Sequence, residues 1–142
     1  MLLPQIKSIL FFVLIAPSYL AFAVNAVPAC PSELQVEQTV SKLPEGWTGY
    51  STNKKHRFVN VMFSNGDPTQ SFILVPSKEL KRNKEDIAIW RFEPSEKAYW
   101  ISCIYSETKA TLARELPDNI KICTVAYDAR FTSPVVKEIK CE

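Results

Sequence analysis

Four cysteines, Cys30, Cys103, Cys123 and Cys141, are the residues of this chain whose type and spacing speak most directly of chemistry. A cysteine can serve as a nucleophile, a metal ligand or half of a disulfide, and its surroundings decide which. No Cys-x-x-Cys pair occurs, and the single histidine, His56, is remote in sequence from every cysteine. Zinc sites gather ligands in closer sets than this, so no metal or other cofactor is expected. No recognisable motif near a cysteine would lower a thiol pKa. An even count in an exported chain points to two disulfides, with three possible connectivities.

Strand parity favours one of them. Side chains of an extended strand alternate between faces. Tyr99, Ile101, Cys103 and Tyr105 share a face, as do Lys121, Cys123, Val125 and Tyr127. Both cysteines are in phase with large apolar residues, so a Cys103–Cys123 bridge is expected. It would close a loop of about 20 residues, worth roughly 3 kcal/mol on the chain-entropy view. Cys30, in phase with Leu34 and Val36, is then left for Cys141, in phase with Val135 and Ile139.

The other reactive residue types form no set. His56, in "TNKKHRF", has no placed nucleophile or orienting acid, and reads as a solvated loop histidine. Glu93 and Glu96 flank the turn "EPSEK". Paired carboxylates do glycoside chemistry only when a cleft sets their separation, so solvated turn acids are expected. Ser71 and Ser102 lack a nucleophile elbow. No enzyme activity is expected. Two basic clusters remain, Lys54, Lys55 and Arg57, and Lys78, Lys81, Arg82 and Lys84. Runs like these are commonly just solvated, but they are also able to steer an acidic partner. Trp90 and Trp100 fall in strand-like runs and read as core. Trp47, in "PEGW", is the best candidate for an exposed anchor. Trp47, Lys54, Lys55, Arg57, Lys81 and Arg82 are therefore the candidate binding residues.

The elements that would carry these groups are strands. "LQVEQTV" (34–40) alternates apolar and polar residues. Arg57–Phe63 and Ser71–Val75 flank Asn65-Gly66, a strong hairpin signal. "SKELKRNKED" is polar and has room for one or two helical turns. Ile87–Phe92 and Ala98–Tyr105 flank "EPSEK" as a second hairpin. Thr111–Leu116, Ile120–Tyr127 and Val135–Cys141 complete eight candidate strands. No segment sustains helical periodicity over 12 residues. The expected fold is all-β, an antiparallel sandwich or small barrel of about eight strands, stapled by disulfides.

The first residues set the compartment. Lys7 is the only charge before Glu33, and an apolar run from Ile9 to Ala16 follows it before Pro17 and Ser18. That is a short signal-peptide core rather than a membrane span, which needs about 20 apolar residues. Cleavage is expected after Ala26, with Ala23 as an alternative. A lipoprotein cut before Cys30 is a third option, because "VPAC" loosely resembles a lipobox. Residues 1–26 are then a signal peptide and 27–142 a single domain, exported to the periplasm or secreted. The formal charge of the whole chain is +2, so no global field argues for nucleic acid. No second apolar stretch in the mature chain approaches transmembrane length.

With "CPSELQVEQ", "EGW", the Trp90-x-Phe92 strand, "YWISCIY", "LP" and the Cys123 strand in view, the chain resembles a family of small exported bacterial proteins of unassigned function. Cys-Pro, then Cys-x-Tyr, then Leu-Pro and Cys form its framework. Some similar proteins sit beside secretion-system genes, so the resemblance implies an immunity or inhibitor role and brings no assigned catalytic residue. The expected function is thus a non-enzymatic protein-binding module, with a hydrolase, a toxin or an envelope complex as partner. A small-ligand carrier with an apolar barrel interior is the alternative.

Overall fold

β-Branched and aromatic runs separated by turn residues become nine strands among the described residues. The structure is a computed structural model that describes residues 29–70 and 72–142. The expected leader and its cleavage site lie outside them. The strands are β1 Glu33–Gln38, β2 Thr52–Asn65, β3 Ile73–Leu74, β4 Lys78–Lys81, β5 Glu85–Arg91, β6 Tyr99–Tyr105, β7 Thr111–Glu115, β8 Ile122–Asp128 and β9 Val135–Cys141. They form two antiparallel sheets. One runs β1-β2-β6-β7, with β3 also on β2; the other runs β4-β5-β8-β9. The all-β expectation holds, and among the described residues there is no helix.

The sheets meet through their apolar faces. Val61, Phe63 and Ile101 from the first pack with Ala88, Trp90, Cys123 and Val125 from the second. Phe63 is fully buried and its ring lies 4.9 Å from that of Trp90 across the interface. Phe92 and Tyr99 extend this aromatic row. Removing a buried phenylalanine of this kind costs about 3–5 kcal/mol. Trp90 is core as expected, whereas Trp100 is only half-buried.

β2 organises the first sheet. The Phe58 N–H donates to the Ser32 carbonyl, while the Arg57 carbonyl accepts from Ser106 beyond β6. Successive residues of a strand address opposite edges, so β1 and β6 flank β2 on opposite sides. Phe63 and Ser64 pair with both β3 and β6, which puts β3 on the β1 side. β1 starts at Glu33, and just before it Tyr105 Oη donates to the Pro31 carbonyl at 3.0 Å. The β2 edge between β1 and β3 is left open there. The Val61 N–H is satisfied locally by Asn60 Oδ1 at 2.8 Å. A bulge between Phe58 and Asn60 also switches the inward parity, from His56 and Phe58 before it to Val61 and Phe63 after it.

Five expectations are corrected. First, the bridges are Cys30–Cys103 and Cys123–Cys141. Parity places a cysteine on a face but not in a sheet. β6 and β8 belong to different sheets, whereas β9 pairs with β8 and sets Cys141 directly opposite Cys123, with the Cα atoms 4.1 Å apart. Second, Ile87–Phe92 and Ala98–Tyr105 are not a hairpin. The chain crosses between sheets at Phe92–Ala98, and β5 pairs with β4 and β8 while β6 pairs with β2 and β7. Third, "SKELKRNKED" holds β4 and its turn into β5 rather than helical turns. Fourth, His56 lies within β2, only 3% exposed. Fifth, the Cys30 sulfur is bonded to Cys103 rather than to Cys141, whereas the lipoprotein option would need that sulfur for its thioether.

Candidate binding surface

The expected site residues fall into three places. Trp47 stands in the loop between β1 and β2, 73% exposed, with Tyr50 equally open. Its turn is set by Gly46, whose φ of +80° suits glycine. Lys54, Lys55 and Arg57 lie along the first half of β2, opposite β1. Lys81 and Arg82 lie at the end of β4, in the other sheet. Lys78 and Lys84 flank them on the same hairpin.

The two basic clusters differ in how they are neutralised. Lys54 pairs with Glu107, and Lys55 with Glu33 at 3.4 Å. Glu107 sits in the turn after β6 with a left-handed backbone, φ 57°. The Lys54 ammonium beside it holds its carboxyl below the usual glutamate range. His56 shares this corner. Its Nδ1 lies 2.7 Å from the Ser106 carbonyl oxygen, which only accepts, so Nδ1 carries a proton. The ring is a tie between β2 and the β6 end. Lys78, Lys81, Arg82 and Lys84, by contrast, have no ion-pair partner among the described residues.

A cleft of about 450 Å³ opens beside this second cluster. Its walls are the open stretch of β2 (Asn60, Met62), β3 and Pro76, β4 (Glu79, Leu80, Lys81), Asp86 and Trp90 of β5, and Tyr127. Burial, with the Glu79 carboxylate nearby, pushes the Tyr127 phenol up to about 12, so it remains a hydrogen-bond donor at any physiological pH. Along β3 and its flanks, Phe72 is 92%, Ile73 59% and Val75 83% exposed, and of these Ile73 lines the cleft. Sequence reasoning missed these three, because "SFILV" reads as a buried return strand. Only Ile73 and Leu74 pair with β2, and Trp90 Nε1 donates to the Leu74 carbonyl at 3.1 Å. The signal that was available is the lack of polar alternation in an edge strand stopped by Pro76.

The carrier alternative and the remaining reactive residue types can be placed in the fold. Among the described residues, packed side chains fill the space between the sheets where a carrier would be hollow, and the cleft lies at an edge. Glu93 and Glu96 are exposed on the sheet-crossing connection, where both line a second cleft of about 470 Å³. Ser102 is buried, and Ser71 lies outside the described residues. Among the described residues no group of three or more His, Cys, Asp or Glu could hold a metal ion, and no helix is long and apolar enough to cross a membrane.

A small two-sheet domain, covalently stapled and offering an exposed apolar and cationic corner, has the make-up of a protein-binding module. The sequence profile of the type VI secretion system Tli immunity protein family matches residues 52–142, which span β2 to β9, and the chain belongs to that family. An uncharacterised 16.3 kDa protein of Azospirillum brasilense is 29% identical over 106 residues, covering 70% of each chain. No solved structure matches.

Proposed function

We propose that this protein is a non-enzymatic immunity protein that acts in the periplasm, where it binds a toxin delivered by a type VI secretion system and blocks it. The observation that carries the reading is the extent of the family match, which takes in both sheets and the corner between them. Two disulfides support an oxidising compartment, reached through a signal peptide cut after Ala26. Trp47, Arg57, Lys81 and Arg82 are the contacts carried forward from the sequence. Lys54 and Lys55 already have acidic partners within the chain and offer less free charge.

The test is protection in living cells. A susceptible strain that makes the toxin in its periplasm should survive when it also exports this protein. It should die when the protein is made without residues 1–26. Purified toxin and mature protein should form a one-to-one complex. Equal survival with and without export would sink the periplasmic reading, and absence of a complex would sink the immunity reading.

A further inference from the structure

We infer that the toxin-binding surface is the β3–β4 corner, and that it receives an acidic loop of the toxin whose apolar side chain seats in the cleft between β2 and β4. The inference rests on the immunity reading above and adds the surface and the chemistry of its partner. Three independent features meet at this corner. Phe72, Ile73 and Val75 expose three large apolar side chains within four residues, which a solitary domain would rarely leave in water as a group. The cleft beside them, about 450 Å³, is of a size to take a buried anchor of the kind that dominates interface energetics. Lys78, Lys81, Arg82 and Lys84 lie together on the β4–β5 hairpin, Lys81 in the wall of the cleft, and none of the four has an ion-pair partner among the described residues.

Charge complementarity therefore selects an acidic partner segment. Lysines on an edge strand also discourage unwanted strand pairing, which would account for Lys78 and Lys81. It accounts neither for Arg82 and Lys84, beyond the strand, nor for the apolar side chains beside them. Glu79 and Asp86 line the same cleft, so the acidic contacts of the toxin belong on the rim around Lys81 and Arg82. Its apolar tip belongs inside, against Leu74 and Trp90.

The experiment measures affinity for the purified toxin secreted by the type VI system of the source cell, in a catalytically silent form. Lys81→Glu/Arg82→Glu is compared with Lys109→Glu/Lys140→Glu, which changes net charge by the same amount elsewhere on the surface. Phe72→Ser/Val75→Ser tests the apolar component. The first and third variants should weaken binding about 100-fold or more, as loss of interface hot spots does, and the second by less than about threefold. Wild-type binding should fall steeply with salt. Unchanged far-ultraviolet circular dichroism and intact disulfides would show each variant folded. In wild type, toxin should slow amide exchange at residues 72–82. If wild type binds and the corner variants bind equally well, or exchange slows elsewhere, the surface is wrong and the immunity reading stands. If wild type does not bind, both fall.

Discussion

Asp128 closes β8, and its carboxylate receives Arg130 Nε at 2.8 Å and the Arg130 backbone N–H at 3.1 Å. These bonds hold its carboxyl down at about 2, below about 3.9 for an unperturbed aspartate. A depressed folded pKa gives stability that is present above the unfolded value and is lost as pH falls through the folded one. Asp128→Asn should therefore lower Tm at pH 6, with the gap to wild type closing between about pH 4 and pH 2. Thermal melts across that range check it, and a gap independent of pH would show that the pair does not act through charge. His56 teaches a different lesson at this scale. In "TNKKHRF" it sits among polar letters and reads as loop. The strand continues because that half of β2 is paired with β1, and backbone pairing leaves little mark on side-chain composition. Its burial follows from the bulge between Phe58 and Asn60, which no residue type announces.

At the scale of elements, the inward faces were legible. Ile101, Cys103 and Tyr105 are buried together, as are Cys123 and Val125, because period-two alternation is a property of one strand. Partnership is a property of two strands and was not legible: "EPSEK" resembles a hairpin turn but carries the chain from one sheet to the other. The β3–β4 corner was half legible. Its cations stand in the sequence, whereas the exposure of Phe72 and Val75 depends on where β3 stops pairing. The observed bridges divide the labour. Cys30–Cys103 spans 73 residues and ties the entry to β1 onto the centre of the first sheet, while Cys123–Cys141 spans 18 and locks adjacent strands. On the chain-entropy view the first is worth roughly 4 kcal/mol and the second roughly 3 kcal/mol. Cys30→Ala/Cys103→Ala should thus lower the urea midpoint more than Cys123→Ala/Cys141→Ala. Equal losses would mean that native packing, rather than loop closure, sets the cost.

For the whole molecule, the non-local pairing of its strands has a consequence in time. Phe58 pairs with Tyr105 and Glu85 with Asp128, so neither sheet is complete until distant parts of the chain have met. Domains dominated by such contacts fold in about milliseconds to seconds, and disulfide formation adds seconds to hours. Stopped-flow refolding of oxidised protein should fall in the first window. Refolding of reduced protein should add a phase whose rate follows the oxidant, and microsecond refolding would contradict the topology. A newly exported copy is then no shield until its slowest step is over. A cell struck by a neighbour's toxin would be defended by the copies it had already matured, and immunity of this kind has to be stockpiled ahead of the attack.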